Sequence, residues 1–124
     1  MVCKCILVID DEADILEIAK VSLEITKGWN VLTAGSGEEG IQIAVQAQPD
    51  AILLDRMMPG VDGLETLKRL QANPATQNIP VILLTAARAT AQRTYTEAGA
   101  RAMLTKPFDP SKLAGQIEAI LGWA

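Results

Sequence analysis

The sequence predicts an α/β fold in which a doubly wound parallel sheet of five strands forms a single domain. Short apolar runs alternate five times with longer segments of helical periodicity, an order that favours parallel strands joined by right-handed crossovers. The apolar runs are continuous, as in strands covered on both faces. The length of 124 residues suits one domain, so we expect residues 1–124 to fold as one unit.

Five apolar runs are interpreted as strands. They cover residues 5–9, 29–34, 51–54, 79–84 and 101–105. The second run alternates less cleanly than the others. Proline is tolerated at the first position of a strand, and Pro80 is expected to lie at the start of the fourth.

A helix is predicted after each strand. Gly28 ends the first, Ser36 caps the second with Glu39 completing a capping box, and Asp109 starts the last. The helix at residues 87–98 has the weakest apolar face. The stripes expected to be buried are Leu16, Ala19 and Leu23; Ile41, Ala44 and Val45; Leu64, Leu67 and Leu70; and Leu113, Ile117, Ile120 and Leu121.

Composition and charge exclude several classes of protein. Apolar residues make up 49% of the chain and charged ones 21%, which is typical of a globular domain. The net charge of −4, without a basic cluster, argues against nucleic-acid binding. No apolar run approaches the roughly 20 residues of a membrane span, and no export signal is present. A cytoplasmic protein without a membrane partner is expected.

The sequence contains no histidine. This excludes histidine bases, Ser-His-Asp or Cys-His catalysis, and histidine-ligated zinc. The two cysteines, Cys3 and Cys5, fall on the same side of the first strand and are expected to be buried thiols, since a metal site would need further soft ligands. Trp29 and Trp123 are expected to serve in packing.

Polar residues follow four of the predicted strands. Asp10 and Asp11 follow the first, Asp55 the third, Thr85 the fourth and Lys106 the fifth. Each has a structural explanation as a helix cap, a turn residue or a solvated charge. Because the carboxyl ends of parallel strands meet at one edge of a sheet, we expect all five in a single crevice, where open α/β sheets place their chemistry.

Such a cluster favours phosphoryl transfer. Three carboxylates in one crevice repel one another, and one lysine supplies too little positive charge to balance them. A hard divalent cation with oxygen ligands would complete the balance, and carboxylates with waters suit Mg²⁺. Asp55 beside Mg²⁺, with a hydroxyl and an ammonium opposite, is placed to attack phosphorus and become an aspartyl phosphate.

Four motifs in register resemble the receiver domains of two-component response regulators, over the whole chain. They are Ile9-Asp10-Asp11-Glu12, Leu54-Asp55-x-x-Met58-Pro59-Gly60-x-Asp62-Gly63, Leu84-Thr85-Ala86 and Lys106-Pro107-Phe108. The resemblance implies a flavodoxin-like (βα)5 fold with strand order 2-1-3-4-5.

The resemblance also implies roles at the metal. Asp55 resembles the phosphoacceptor of the family. Asp11 resembles the residue that holds Mg²⁺ directly, and Asp10 the one that holds it largely through water. The backbone carbonyl of Met57 corresponds to a further ligand.

Three more positions concern the phosphoryl group and its readout. Thr85 resembles the hydroxyl that moves to bind a phosphoryl oxygen, and Lys106 resembles the residue that pairs with the group. The family usually has Tyr or Phe at the position of Met103. We expect Met103 to be a core residue, phosphorylation to survive, and the output switch to be atypical or weak.

The leading interpretation is a stand-alone receiver without an output domain and without enzymatic activity beyond self-phosphorylation from a donor and self-dephosphorylation. Its donor would be a histidine kinase or a histidine phosphotransfer protein, and its output protein and any homodimer stay open. The alternatives are a receiver excised from a longer regulator, a pseudo-receiver that only binds partners, and a haloacid-dehalogenase-type phosphatase. That enzyme class needs a second Asp where this chain has Met57, and a pseudo-receiver predicts loss of site residues that are all present.

Overall fold

The computed structural model describes residues 4–55, 63–85, 99–105 and 109–123. In chain order its elements are β1 (Cys5–Ile9), α1 (Ala13–Lys27), β2 (Asn30–Ala34), α2 (Gly37–Ala47), β3 (Ala51–Asp55), α3 (Gly63–Ala72), β4 (Val81–Thr85), β5 (Ala102–Thr105) and α4 (Pro110–Leu121). The strands form one parallel sheet in the order β2-β1-β3-β4-β5. This confirms the predicted fold. The helix predicted at residues 87–98 lies outside the described residues.

Alternate residues of the central strands point to opposite faces of the sheet, and each face is covered by helices. Ile6 and Val8 of β1 lie in a cluster with buried residues of α1 and α4. Leu7 and Ile9 lie in a second cluster with residues of α2 and α3. Burial on both faces explains why the strands read as continuous apolar runs.

The predicted helix ends are confirmed where the structure describes them. Gly28 follows α1 at φ 69°, the left-handed conformation that glycine adopts without a steric penalty. Ser36 Oγ accepts the N–H of Glu39 at 3.2 Å, so Ser36 caps α2 as predicted. The second bond differs from that of a capping box, because Glu39 Oε1 accepts the N–H of Gly35, one residue before the cap, at 2.7 Å. Asp109 caps α4, with a proline at the first helical position.

Two burial predictions are wrong. Val45 is 38% exposed, although Ala44 beside it is fully buried. One helical step turns the side chain by about 100°, which carries Val45 off the edge of the buried stripe. Cys5 is half-buried rather than buried, because it lies at the first position of β1, where the helices cover the strand incompletely. Cys3 lies outside the described residues.

Three strand starts also differ from the prediction. Trp29, Pro80 and Arg101 each lie just before the strand to which they were assigned. Pro80 has no N–H to donate to the ladder, and it contributes only its carbonyl, which accepts the N–H of Ile52 at 3.0 Å. The predicted fourth strand therefore begins one residue after the proline, at Val81.

The two tryptophans pack together, as predicted, near the amino edge of the sheet. The rings of Trp29 and Trp123 meet edge to face with their centroids 5.3 Å apart. Lys4 Nζ lies 4.7 Å from the centroid of the Trp123 ring, within range of a cation–π interaction. This contact fastens the end of α4 to the start of β1. Across the described residues, no helix is both long enough and apolar enough to cross a membrane.

Candidate functional site

Three carboxylates meet at the carboxyl edge of the sheet, in its middle. Ile9 of β1 pairs with Leu54 of β3, so the next residue of each chain segment, Asp10 and Asp55, comes level with the other. Asp11 follows at the start of the loop to α1. One carboxylate oxygen from each of the three lies within 4.8 Å of the other two. The predicted convergence of Asp10, Asp11 and Asp55 is confirmed.

The three carboxylates differ in their exposure. Asp10 is fully buried and Asp55 is 2% exposed, whereas Asp11 is exposed to solvent. Buried carboxylates need compensating interactions, because the loss of hydration costs several kcal/mol for an ion. At this edge, which we call the mouth of the sheet, two acids therefore lie in the floor and the third lies at the rim.

Asp10 is also held as a turn residue. Its Oδ1 accepts the N–H of Glu12, the residue before α1, at 2.9 Å, and its own N–H donates to Ala34 O at 3.1 Å. Asp10 therefore has both of its predicted roles: it holds the turn before α1, and it belongs to the carboxylate cluster. The turn fixes the side chain at the mouth, since an Asp that bonds to a nearby N–H loses its freedom to rotate.

The donor set fits a hard divalent cation. All three candidate ligands are carboxylate oxygens, which Mg²⁺ prefers over nitrogen or sulfur. Oxygens on opposite sides of a Mg²⁺ ion lie about 4.2 Å apart, since each is about 2.1 Å from the metal. The observed spacing of up to 4.8 Å is close to this value, so small side-chain rotations would bring the oxygens onto one ion.

The remaining site residues are described in part or not at all. Thr85 is the last residue of β4, one position beyond Leu84, which pairs with Asp55. Its backbone therefore lies at the same edge as the carboxylates, as predicted. Met57 and Lys106 lie outside the described residues, and their roles stay predictions.

Met103 lies in β5, opposite Leu83 of β4, and is partly buried against the cluster of α2 and α3. The prediction of a core methionine is confirmed.

One contact beneath the site was not predicted from the sequence. Gly40 of α2 is buried against Ile9, the residue before Asp10, and a Cβ at Gly40 would lie 2.3 Å from Ile9 Cδ1. The only signal in the sequence is a glycine inside a predicted helix, where it costs about 1 kcal/mol relative to alanine. The close approach explains why the helix carries it.

Comparison with known proteins gives consistent results. The family model of the response regulator receiver domain matches residues 6–118. The phosphate regulon transcriptional regulatory protein PhoB of Pseudomonas aeruginosa is 40% identical over 98% of this chain and 53% of its own length. The alkaline phosphatase synthesis transcriptional regulatory protein PhoP of Bacillus subtilis is 38% identical over 95% of this chain and 48% of its own. The chain thus spans about half the length of these relatives.

Solved structures agree with this assignment. A putative response regulator from Chloroflexus aurantiacus superposes with a TM-score of 0.88 at 34% identity, over 98% of this chain and 99% of the other. The chemotaxis protein CheY4 of Vibrio cholerae gives a TM-score of 0.89 at 27% identity, over 96% and 99%. Both matches cover nearly the whole of each chain. The chain belongs to the response regulator receiver family, the receiver domains of two-component signalling.

Proposed function

We propose that Asp55 accepts a phosphoryl group from a phosphohistidine on another protein, in a reaction that depends on Mg²⁺ held by Asp10 and Asp11. The observation that carries this proposal is the convergence of three carboxylates, with their oxygens within 4.8 Å, at the mouth of the sheet. Three carboxylates this close together repel one another, and a bound cation would balance their charge and attract an anionic ligand.

The proposed reaction forms one bond and breaks one. An oxygen of Asp55 attacks phosphorus, the bond between phosphorus and the donor's imidazole nitrogen breaks with its electron pair passing to that nitrogen, and an acyl phosphate forms on Asp55. Because the chain has no histidine, the imidazole belongs to a histidine kinase or a histidine phosphotransfer protein. Bound Mg²⁺ would offset the charge of the phosphoryl oxygens.

The chain's own residues would position the group. The buried Asp10 would hold the metal's water shell, the exposed Asp11 would bind the metal directly, and the backbone carbonyl of Met57 would add a ligand. Thr85 would donate its hydroxyl to a phosphoryl oxygen, and Lys106 would pair with another.

The test is intact-mass spectrometry after incubation with acetyl phosphate and Mg²⁺. We expect a single phosphoryl adduct on the unaltered chain, none on Asp55→Asn, and none when the metal is chelated. The matched control is Asp50→Asn, the same change just before the opposite end of β3, which should keep the adduct. The proposal is wrong if Asp55→Asn is phosphorylated to the same extent as Asp50→Asn, or if no phosphodonor gives an adduct on the unaltered chain.

Metal binding is tested separately by isothermal titration with Mg²⁺. Asp11→Asn should weaken Mg²⁺ binding at least tenfold, because it removes a charged ligand at the rim of the site. Asp14→Asn, which also removes an exposed acid but lies in the first turn of α1, should change it less than twofold. If Asp11→Asn and Asp14→Asn weaken Mg²⁺ binding equally, the ion is attracted by the overall negative charge of this surface and the proposed metal site is wrong.

Several finer points belong to the same proposal. We infer a cytoplasmic module that signals by changing which protein it binds, with no activity beyond forming and hydrolysing its own acyl phosphate. The names of the relatives describe transcriptional regulators, and we infer that this acidic receiver segment does not itself bind DNA. Whether residues 1–124 act alone is tested by the length of the reading frame.

The output switch is expected to be atypical because Met103 replaces an aromatic ring. Methionine is flexible and can repack, but it has neither the bulk of tyrosine nor its hydroxyl. Structures with and without beryllofluoride, a phosphoryl mimic, should therefore differ little around β5. A large rearrangement of Met103 and its neighbours would contradict this expectation.

A further inference from the structure

The side chain of Glu39 binds one residue away from the place that a capping box would give it. In a capping box the acid accepts the N–H of the capping residue itself, which here is Ser36. Glu39 Oε1 instead accepts the N–H of Gly35 at 2.7 Å, while Ser36 Oγ accepts the N–H of Glu39 at 3.2 Å. Ser36 thus caps α2, and the carboxylate of Glu39 is directed at the end of β2.

The N–H that Glu39 binds belongs to a peptide group that also contacts the candidate metal site. This peptide group joins Ala34 to Gly35, and its carbonyl, Ala34 O, accepts the N–H of Asp10 at 3.1 Å. The N–H and the C=O of a trans peptide lie in one plane and point in opposite directions. One rigid unit therefore connects the carboxylate of Glu39 on one side to the backbone of Asp10 on the other.

This peptide group lies at the end of an edge strand, where it has few other supports. The strand order is β2-β1-β3-β4-β5, so β2 pairs with β1 alone among the described strands. The last pair of that ladder is Ile9 with Ala34, and the bond from Asp10 to Ala34 O lies just beyond it. The outward N–H groups of an edge strand have no neighbouring strand to bind them. Glu39 supplies the missing acceptor at Gly35.

The helix dipole does not explain this contact. An acid in the first turn of a helix is stabilised by the dipole, but Glu38 lies in the same turn of α2 and has the same benefit. Hydrogen bonds to a carboxylate are stronger than neutral ones, and successive hydrogen bonds through one peptide group polarise each other. The bond from Gly35 to Glu39 should therefore strengthen and align the bond from Asp10 to Ala34.

We propose that Glu39 is a positioning residue of the metal site, which acts on Asp10 through the peptide group between Ala34 and Gly35. The inference rests on the proposed Mg²⁺ site, in which the buried Asp10 holds the ion's water shell. Asp10 Oδ1 is already held by the N–H of Glu12 at 2.9 Å, so the remaining freedom of this carboxylate is that of its backbone, which Glu39 restrains. Removing a residue that supports a metal ligand commonly weakens metal binding roughly 10- to 100-fold. Glu39 is exposed and acts through one further group, so we expect an effect of about threefold to tenfold.

Isothermal titration with Mg²⁺ tests the effect on the site. Glu39→Ala should raise the Kd at least about threefold, whereas Glu39→Gln, which keeps an oxygen acceptor on a side chain of the same length, should raise it less than about twofold. The matched control is Glu38→Ala, which removes the same charge from the same turn of α2 and should also stay within about twofold. If Glu39→Gln or Glu38→Ala weakens binding as much as Glu39→Ala, charge alone is responsible and the positioning role is overturned. Unchanged binding by Glu39→Ala overturns it as well.

Amide hydrogen exchange of the metal-free protein, followed by NMR, tests the link between Glu39 and Asp10 directly. Glu39→Ala should speed exchange at the Asp10 N–H at least about threefold, because the carbonyl that accepts this N–H is no longer held from its other side. The comparison is the N–H of Ile52 in the central strand β3, which donates to Pro80 O at 3.0 Å and should change less than about twofold.

The two measurements separate this inference from the proposed function. An equal rise in exchange at Asp10 and Ile52 would show that Glu39 acts on the stability of the whole domain, and it would overturn the positioning role. If the unaltered chain binds no Mg²⁺, the proposed function fails. If it binds Mg²⁺ and exchange at Asp10 is the same in Glu39→Ala, this inference alone fails.

Discussion

The contact between Gly40 and Ile9 makes a quantitative prediction. Gly40 lies inside α2, so replacing it with alanine gains about 1 kcal/mol of helix propensity. The added Cβ would lie 2.3 Å from Ile9 Cδ1 and 2.7 Å from Ile9 Cγ1, closer than carbon atoms approach without displacement. Ile9 is fully buried, so its side chain can move only within the packed core. Overpacking of this kind costs about 1–3 kcal/mol, so Gly40→Ala should destabilise the protein by about 1 kcal/mol net.

A second glycine isolates the steric cost. Gly115 lies in the interior of α4, and a Cβ added there meets nothing within 4 Å. Gly115→Ala should therefore stabilise the protein by about 0.5–1 kcal/mol. Because both changes gain helix propensity, the difference between the two variants measures the contact with Ile9 and should be about 1–3 kcal/mol.

The assay is urea unfolding followed by far-UV circular dichroism, with the free energy obtained by linear extrapolation. A double-mutant cycle with Ile9→Val, which removes Cδ1, should show a favourable coupling of about 1 kcal/mol, since the smaller side chain makes room for the added methyl group. If Gly40→Ala is as stabilising as Gly115→Ala, or if the cycle shows no coupling, the steric argument is wrong. Ile9 precedes Asp10, so Gly40→Ala should also weaken Mg²⁺ binding.

Three further predictions concern single residues. Hydrogen bonds from the hydroxyl and the backbone N–H of Ser111 hold the pKa of Asp109 below its usual range. The free energy of unfolding in urea should therefore be higher for the unaltered chain than for Asp109→Asn. This difference should be complete above about pH 4 and should disappear as the pH falls through the lowered pKa. A constant difference down to pH 2 would contradict this. Thr76→Val should cost about 1–2 kcal/mol in urea, because the buried hydroxyl donates to a carbonyl of α3 at 2.7 Å, while exposed Thr26→Val should stay within about 0.5 kcal/mol. Gln48 has a positive φ of 49°, and its side-chain amide donates to Ala75 O at 2.9 Å. Gln48→Ala and Gln48→Gly both lose that hydrogen bond, but Gln48→Gly should have the higher melting temperature, since only glycine adopts a positive φ without strain. Equal melting temperatures of the two variants would show that the backbone is not strained at this position.

The parts of the fold that depend on local pattern could be predicted from the sequence. Gly28, Ser36 and Asp109 end or begin helices through contacts within a few residues, and these contacts formed as expected. The cluster of Asp10 with Asp55 was also predictable, because a parallel sheet brings the ends of its strands to one edge whatever the side chains do.

Features that depend on distant contacts could not be predicted in the same way. The exposure of Val45 depends on where the edge of the sheet stops beneath α2, and the approach of Gly40 to Ile9 depends on how closely that helix lies on β1. Neither distance is encoded in a local pattern. The exposed apolar residues of α1, such as Ile25, were not predicted, because the buried stripe of Ala19 and Leu23 already accounts for the attachment of this helix to the sheet.

The pairing of Trp29 with Trp123 has a practical consequence for studies of this protein. Both indoles lie near the amino edge of the sheet, whereas Asp10 follows the carboxyl end of β1, about six residues or roughly 20 Å further along the strand direction than Trp29. These are the only two tryptophans in the chain. Intrinsic fluorescence will therefore report whether the end of α4 is attached to the sheet, and it will be nearly silent when a metal or a phosphoryl group arrives at Asp55. A spectroscopic assay of phosphorylation needs a tryptophan or a dye introduced at the opposite edge.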